Sequence, residues 1–450
     1  MARRTESSPQ GCHLGDECEI AASDGVSCCP RVNDDPIGLM EQVPCPVQQT
    51  GGIQGVSQLV SESLFADLEA IMKVLFTVQG EGRGHLTQAL AMKEMLERRG
   101  HQVVAVLVSS NGSRPIPGYF SAGFTAPVRV MSGPGFAFPG ARGVSGPATF
   151  RRLVRDLPRF ARSLRLIRET LHETRPGLVV NFLEPLMGFY NLVSRARVPT
   201  VVVGHQYMLD HPAFPRIRCF RSDRRFMRGY LALAGARSTR LALSFYPAPN
   251  LPGRRLVVCP PLLRRQLFEL ESTPGDYLLV YLLNHGYAAA IRRWHTLHPH
   301  IPVHCFHDRP GAPSEERVAP NLTFHTLHGD KFLPMMAGAR AVVCTAGFES
   351  ACEAAYLGKP LLMIPVENHV EQYLNACDAE QAGLGLRDDD FRLARLLAPG
   401  VQGAAPEFRR WVDRAEALAV EAVETAAGLR PAPMAGIPAP VDSMTRELAV

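Results

Sequence analysis

The sequence feature that most constrains the fold is a glycine-rich loop, residues 80–85 (GEGRGH), between two apolar segments of different periodicity. The preceding residues 73–78 are apolar and rich in β-branched side chains, as in a buried strand. After the loop, apolar residues recur at helical spacing, and a second strand-like segment follows. This order predicts the start of an open parallel sheet, with His85 at the edge where such sheets bind ligands.

Two other interpretations of this loop stay open. A dinucleotide-binding fingerprint requires a third glycine where this chain has His85, and an acidic residue about 20 residues further on. The next strand instead ends in two serines, with no acidic residue nearby. A tight turn whose histidine only caps the following helix requires no ligand at all. The sequence favours an exposed imidazole at a helix N-terminus, preceded by Gly82, Arg83 and Gly84.

Length and composition indicate a globular protein with more than one domain. The chain has 450 residues, which exceeds one ordinary core, so two domains of roughly 100–200 residues each are expected. Its formal net charge of +5 is modest for this length and does not indicate nucleic acid as a partner. No apolar run reaches the roughly 18–20 residues of a membrane span. We therefore expect a cytoplasmic protein, with any membrane association peripheral.

The first 71 residues differ from the rest of the chain. They contain five of the eleven cysteines, show little periodicity and lack the apolar segment of a signal peptide. Their cysteine spacings match no paired C-x-x-C pattern of a zinc site. We interpret residues 1–71 as a disordered or incorrectly assigned N-terminal extension, with Met72 directly before the first strand. The other cysteines lie in apparent core segments, as reduced thiols of a cytosolic protein do.

Strand-like and helix-like segments alternate on both sides of a proline-rich stretch. We expect one Rossmann-like domain at residues 72–250, a linker at 251–275, a second Rossmann-like domain at 276–428 and a flexible tail at 429–450. The alternation favours an α/β fold of two doubly wound domains that face each other across a cleft. An amphipathic helix at 408–427 is expected to pack back across the junction.

Two strands of the first domain end in polar side chains. Glu184 follows the strand-like residues 178–181, and His205 follows residues 200–204. Because the carboxyl ends of parallel strands meet at one edge of a sheet, we expect both side chains near His85. An ordinary loop position is the alternative for each of them.

A long helical stretch at residues 150–174, expected to be kinked or restarted at Pro158, carries seven arginines interleaved with large apolar side chains. A solvated helix face is one interpretation of this pattern. The other is docking to anionic lipid, because apolar and arginine side chains together suit a membrane surface. The sequence leaves both interpretations open.

The richest motif is TAGFESACEAAYLGKP, at residues 345–360. Gly347 leaves backbone amides accessible at a helix N-terminus, where the helix dipole favours a phosphate. Glu349 and Glu353 lie one turn apart on one face of that helix. A carboxylate beside a diphosphate suits the paired hydroxyls of a ribose, whereas a solvated acidic pair at a helix start is the alternative.

This block resembles the donor-binding region of GT-B glycosyltransferases. It is similar to the N-acetylglucosaminyltransferase of peptidoglycan lipid-intermediate synthesis and to UDP-glycosyltransferases of small molecules. In those families a glycine, a glutamate six residues on, a Gly-x-Pro and an acid-Gln-x-x-Asn-Ala sequence recur in order, here Gly347, Glu353, Gly358 with Pro360, and Glu371-Gln372 with Asn375-Ala376. The loop at residues 82–85 resembles their acceptor-side loop, and the likeness covers about residues 72–428.

On the donor side, the resemblance implies that Glu353 holds the ribose of a nucleotide sugar, expected to be a UDP-sugar. It further implies that the amides at Gly347 and Phe348 hold the diphosphate, and that Glu371 and Gln372 contact the sugar. The loop Asn284-His285-Gly286 is expected beside the donor as well, although it lacks the glycine-glycine-serine of the peptidoglycan enzyme. Thr345 stands where plant enzymes have a phosphate-binding histidine.

On the acceptor side, the resemblance implies that His85 is the base of an inverting, metal-independent transfer. The acceptor would be a small-molecule or lipid-linked hydroxyl compound, bound near Gly82, Arg83, Gly84, Glu184 and His205. An imidazole suits this role, because its unperturbed pKa of about 6.5 leaves it mostly neutral at pH 7. No cofactor is expected beyond the donor itself.

Two other functions stay open at this stage. A nucleotide-sugar 2-epimerase would share the fold and the donor site, but it needs additional carboxylates for elimination. A non-catalytic nucleotide-sugar or lipid-binding module would keep Gly347 and Glu353 without needing His85.

The acidic run at residues 388–390 is interpreted as helix capping rather than as a metal site.

Overall fold

The computed structural model of this chain describes residues 71–429, apart from 113–114, 136–145, 196, 218–219, 283–284, 310 and 328. The expectations for residues 1–70, for the tail at 430–450 and for Asn284 therefore lie outside the described residues. The described part forms two seven-stranded sheets. Helices bury the apolar side chains on both faces of each sheet, as the prediction of two doubly wound α/β domains requires.

The first domain is a sheet of parallel strands in the order β3-β2-β1-β4-β5-β6-β7. The strands are β1 (Lys73–Gln79), β2 (Gln102–Ser110), β3 (Val128–Ser132), β4 (Leu178–Phe182), β5 (Thr200–Val203), β6 (Thr239–Leu243) and β7 (Leu256–Cys259). The helices are α1 (Arg83–Arg98), α2 (Gly118–Ala122), α3 (Gly146–Arg155), α4 (Leu157–Thr174), α5 (Pro185–Val193) and α6 (Arg221–Ala234). The strand order reverses between β1 and β4, so the loops after these strands open at the topological switch point.

The second domain has the strand order β10-β11-β9-β8-β12-β13-β14, with β10 antiparallel at one edge. The strands are β8 (Leu278–Leu282), β9 (Val303–His307), β10 (Glu315–Ala319), β11 (Leu322–Thr326), β12 (Ala341–Cys344), β13 (Leu361–Met363) and β14 (Leu386–Arg387). The helices are α7 (Ala288–Leu297), α8 (Gly329–Ala337), α9 (Phe348–Tyr356), α10 (Val370–Gln381), α11 (Pro406–Val412) and α12 (Ala415–Ala426). Its switch point lies between β8 and β12.

The predicted linker at 251–275 begins too early. β7 lies inside that range and is the last strand of the first sheet, parallel to β6. The surrounding prolines suggested an irregular connection. They flank the strand at Pro252 and Pro260 without entering it, so every residue of β7 keeps the backbone N–H that a ladder needs. The connection between the two sheets therefore starts only after Cys259.

The arginine-rich stretch forms two helices instead of one. The chain leaves the helical path at Asp156, and α4 restarts with Pro158 in its first turn. This break agrees with the predicted interruption at Pro158, because proline is tolerated in the first turn but not in a helix interior. No helix within the described ranges is both long and apolar enough to cross a membrane.

The C-terminal helix returns to the first domain, as the sequence predicted. α12 packs on α1 and on the strands β4 to β7. Arg98 of α1 forms a bidentate ion pair with Glu416, and His101 contacts Glu424 at 3.2 Å. The indole Nε1 of Trp411 donates to the carbonyl oxygen of Ser244 at 2.9 Å. These contacts join the two ends of the described chain across the domain junction.

Candidate active site

His85 lies in the first turn of α1, directly after the glycine-rich loop at the first switch point. Nδ1 of His85 is 3.3 Å from Oε1 of Gln88. Its partner is therefore a side chain, whereas a histidine that capped the helix would contact a backbone amide. Burial lowers the pKa of His85, and the charge of Glu371 with the Gln88 hydrogen bond partly opposes this effect. The neutral imidazole is therefore favoured near pH 7, which is the form that a general base requires.

Gln88 connects this histidine to the second domain. Its Nε2 donates a 2.6 Å hydrogen bond to Oε1 of Glu349, in the first turn of α9. The glycine loop permits this approach, because a Cβ placed on Gly84 would lie only 3.2 Å from Cγ of Glu349. Arg83 adds a longer contact of 3.7 Å to Asp308, after β9. The predicted acceptor-side loop is thus seated directly on the predicted donor-binding helix.

The N-terminus of α9 has the form expected of an anion site. Gly347 precedes the helix in an extended conformation and makes no side-chain cap, which leaves the first backbone amides available. Ala346, just before it, has a φ of +48°, a left-handed conformation that is unfavourable for alanine. Phe348 packs its ring into the interior, so only its backbone amide is suited to a phosphate contact. Both residues lie at a helix N-terminus, and their contact with a diphosphate stays a prediction.

Glu353 has a partner that the sequence did not reveal. Nε of Arg264, in the connection after β7, donates to Oε1 of Glu353 at 2.7 Å. Only 2% of Glu353 is exposed, so its carboxylate is shielded from water, whereas the Arg264 side chain is partly exposed. A ribose hydroxyl that binds this carboxylate must share it with Arg264 or displace the guanidinium. The guanidinium also brings a positive charge to the region where a diphosphate is expected.

Glu371 and Gln372 take different positions at the start of α10. Oε1 of Glu371 accepts a 2.7 Å hydrogen bond from Nε2 of Gln206, a first-domain side chain next to His205. Gln372 is buried, and its Oε1 accepts from the backbone N–H of Val366 at 2.9 Å. Glu371 therefore faces the first domain and acts on His85 electrostatically, whereas Gln372 holds the preceding loop.

Glu184 is fully buried at the N-terminus of α5, where its Oε2 accepts from the backbone N–H of Met187 at 2.8 Å. Burial raises the pKa of Glu184 to about 8, against the opposing effect of its hydrogen bonds. This side chain lies at the predicted sheet edge, yet its observed role is to cap a helix. A direct acceptor contact would require the surrounding chain to open.

His205 is also buried, between the two domains. Its Nδ1 donates to the carbonyl oxygen of Leu243 at 2.8 Å, and its Nε2 lies 3.4 Å from Oδ2 of Asp378. Burial lowers the pKa of His205 to about 4 and raises that of Asp378 to about 7. The predicted acceptor-side position of His205 is therefore an interdomain packing position in this structure.

The second switch point holds the remaining predicted residues. His285 and Gly286 lie in a short 3-10 turn directly after β8 and are partly exposed. Burial lowers the pKa of His307, and the nearby charges of Arg309 and His285 lower it further. The two residues thus occupy the same edge of the sheet as Gly347, as expected for a donor-side loop.

The acidic run forms a local turn and does not cap the following helix as the sequence predicted, because that 3-10 helix begins only at Leu393 and has no side-chain cap. Oδ1 of Asp388 accepts from the backbone N–H groups of Asp389 and Asp390, and Arg392 and Arg395 pair with the same carboxylate. These donors lower the pKa of Asp388 to about 2, although burial opposes them. Within the described residues, no group of three or more histidine, cysteine, aspartate or glutamate side chains has a metal-binding arrangement.

Two side chains of the site were not anticipated from sequence. Gln88 follows His85 by one helical turn, a spacing that could have identified it as a partner. Arg264 lies in the predicted linker and carries no local signal. Its role depends on where the chain passes between the domains.

Two doubly wound domains, with a histidine-bearing loop on one beside an open helix N-terminus on the other, are the arrangement of the GT-B fold. The family model of glycosyl transferase family 1 matches residues 72–398. The chain belongs to this family and is a glycosyltransferase.

Known proteins agree with this assignment. An uncharacterised glycosyltransferase of Methanosarcina acetivorans is 26% identical over 343 residues, which are 70% of this chain and 83% of that protein. The fold is similar to that of the glycotransferase of kitacinnamycin, with a TM-score of 0.53, 16% identity and coverage of 79% of this chain and 99% of that one. It is also similar to that of Arabidopsis thaliana UGT89C1 complexed with quercetin, with a TM-score of 0.54, 14% identity and coverage of 80% and 99%.

Proposed function

We propose that this glycosyltransferase moves a sugar from a nucleotide-sugar donor to an acceptor hydroxyl, with inversion at the anomeric carbon. The observation that carries the proposal is the pairing of two switch points. A histidine whose neutral form is favoured lies in the first turn of α1 at one of them, and the open N-terminus of α9 lies at the other. Gln88 and Glu349 hold these two helix starts together.

The donor is proposed to be a UDP-sugar. Backbone amides of Gly347 and Phe348 would bind the diphosphate, and Glu353 would bind the ribose. Support for the sugar nucleotide comes from the spacing of the 347–376 block and from the fold of UGT89C1, whose structure has also been determined with UDP-L-rhamnose. Burial raises the pKa of Glu349 to about 8, which reduces the negative charge beside the diphosphate at neutral pH.

In the proposed reaction, Nε2 of His85 takes the proton of the acceptor hydroxyl as its oxygen forms a bond to the anomeric carbon. The bond from that carbon to the diphosphate oxygen breaks on the opposite face, and the nucleoside diphosphate leaves with the electron pair. The helix N-terminus and the guanidinium of Arg264 would stabilise this charge. This combination supports transfer that requires neither a metal nor another cofactor.

The acceptor is proposed to be a small-molecule or lipid-linked hydroxyl compound, with peripheral contact to an anionic membrane through α3 and α4. Residues 146–168 carry seven arginines against one acidic residue, Asp156. Large apolar side chains are exposed among these arginines, namely Phe150, Leu153, Val154 and Leu157. Apolar side chains in a strongly basic surface suit the boundary of an anionic bilayer.

The test of the proposed function is a donor panel followed by product analysis. The purified protein is mixed with UDP-sugars, with and without hydroxyl acceptors, and both UDP release and the anomeric configuration of the product are measured. UDP release with an inverted glycoside supports the proposal. Binding of UDP without any turnover would indicate a binding module, and interconversion of free UDP-sugars would indicate a 2-epimerase.

A further inference from the structure

The hydrogen bonds of His85 continue beyond the first domain. Nδ1 of His85 contacts Oε1 of Gln88 at 3.3 Å, and Nε2 of the same amide donates to Oε1 of Glu349 at 2.6 Å. Gln88 is 3% exposed and Glu349 is 7% exposed, so water has little access to either link. The three side chains form a continuous chain from the proposed base to the proposed diphosphate-binding helix.

The direction of this chain follows from the chemistry of the amide. The structure places the NH2 group of Gln88 at Oε1 of Glu349, which accepts, and the amide oxygen at Nδ1 of His85. The oxygen is an acceptor, and Nδ1 of His85 must therefore carry the proton. In the neutral ring this leaves Nε2 with the lone pair that a general base uses.

We propose that Glu349, acting through Gln88, is a positioning residue that sets the tautomer and ring orientation of His85. This inference rests on the proposed function, in which His85 is the base. Glu349 itself does not touch the acceptor. It orients the amide, and the amide orients the imidazole, much as a carboxylate orients the histidine of a catalytic triad.

The arrangement couples the base to the domain that binds the donor. Glu349 lies in the first turn of α9, two residues after Gly347, whereas His85 and Gln88 lie in α1. The chain of hydrogen bonds from His85 to Glu349 therefore exists only while the two helix starts are in contact. A Cβ on Gly84 would lie 3.2 Å from Cγ of Glu349, so a larger residue there would crowd the carboxyl group that contacts Gln88.

The buried surroundings of Glu349 are unfavourable for an ionised carboxylate. Its Oε2 is buried without a hydrogen-bond partner among the residues that the structure describes. Burial also raises its pKa to about 8, an energetic disadvantage for an ionised side chain in this place.

The test compares three variants: Gln88→Met, Glu349→Gln, and the double exchange Gln88→Glu with Glu349→Gln. The first removes both hydrogen bonds, and the second allows the amide of Gln88 to turn. In the double exchange, the carboxylate at position 88 accepts from Nδ1 of His85, and the amide at position 349 donates to that carboxylate. We expect kcat to fall about 10–100-fold in each single variant, less than the roughly 10²–10⁴-fold for loss of the base itself.

The double exchange should recover kcat to within about threefold of the wild type, which a role in packing alone would not predict. The ascending limb of its pH–rate profile should move to higher pH, because a carboxylate next to an imidazole raises the imidazole pKa. The limb of Gln88→Met should move to lower pH. Donor KM should change little in all three, and the exposed Gln102→Met serves as the matched control.

A second measurement is independent of activity. Nitrogen-15 NMR of histidine-labelled protein reports which ring nitrogen of His85 carries the proton. The wild type should show the Nδ1–H tautomer, and Glu349→Gln should shift it towards Nε2–H. The proposal is overturned if wild-type His85 is an Nε2–H tautomer, or if Gln88→Met keeps kcat and the pH profile unchanged. Failure of the proposed function is distinct, since it would appear as a wild type without transfer or as a fully active His85→Ala.

Discussion

The imidazole of His205 stacks on the ring of Phe348, with centroids 4.3 Å apart and ring planes inclined by 20°. His205 follows β5 in the first domain, and Phe348 is the first residue of the proposed diphosphate-binding helix. Phe245 packs against both rings, with centroids 4.8 Å and 4.7 Å away. An aromatic cluster therefore supports the donor helix from the opposite domain.

Truncation of this cluster should destabilise the protein. Phe348→Ala removes a buried ring, and we expect a loss of about 3–5 kcal/mol in the free energy of unfolding. Phe348→Leu retains most of the apolar volume and should lose less. Chemical denaturation followed by fluorescence measures both. Equal stability of Phe348→Ala and the wild type would show that the ring contributes nothing to domain packing.

His85→Ala should abolish most transfer while it leaves donor binding nearly unchanged. Loss of a positioned acid–base group typically costs about 10²–10⁴-fold in rate. The wild-type pH–rate profile should have an ascending limb below the ordinary histidine pKa, because burial lowers the pKa of His85. Steady-state kinetics and UDP calorimetry of the same preparations provide the comparison. A variant with near wild-type transfer would remove His85 from the mechanism.

The Arg264–Glu353 ion pair should control UDP affinity. Glu353→Ala should weaken UDP binding by roughly 1.5–3 kcal/mol, the range for a hydrogen bond to a charged group. Arg264→Met should weaken it as well, because the guanidinium would no longer face the diphosphate. Isothermal titration calorimetry measures both effects. The control is Arg410→Met, which removes the exposed ion pair of Arg410 with Glu407. Unchanged affinity in folded Glu353→Ala would contradict the ribose assignment.

The buried Glu184 predicts a specific dependence of stability on pH. Its folded-state pKa is raised from 4.5 to about 8, so its protonated form stabilises the fold at low pH. That contribution is lost as the pH rises through about 8, where the buried carboxyl must ionise.

Glu184→Gln should remove this loss while its amide oxygen still caps α5. The Tm of the variant relative to the wild type should therefore increase between pH 6 and pH 9. Differential scanning calorimetry across this range, with exposed Glu169→Gln as a control, measures the difference. A constant Tm difference would show that Glu184 does not titrate as its burial implies.

The basic apolar surface of α3 and α4 should bind anionic vesicles. We expect co-sedimentation with vesicles that contain phosphatidylglycerol, weak binding to neutral phosphatidylcholine and a strong decrease at high salt. Replacing Phe150 and Val154 with serine should reduce binding while the donor affinity stays unchanged. Equal sedimentation with both vesicle types would argue against docking by charge complementarity.

Local pattern in the sequence was sufficient for much of the fold. The strand before the glycine loop, the helix after it and the helix that follows Gly347 lie close to their predicted positions. Such units are readable because burial of one strand or one helix face imposes a period on the residues within it. The strand β7 was missed, because its four residues are too few to show a period between flanking prolines.

The contacts of the site were decided by the tertiary structure. Gln88 and Glu349 are 261 residues apart in sequence, and Arg264 and Glu353 are 89 residues apart. Sequence alone placed His85 and Gly347 at helix starts and Glu353 one turn after Glu349 in the same helix. It could not show that His205 is buried against Phe348, since periodicity records which face of an element is apolar but not which element will cover it. The packing of the two domains supplies that information, and with it the partners of each titratable group.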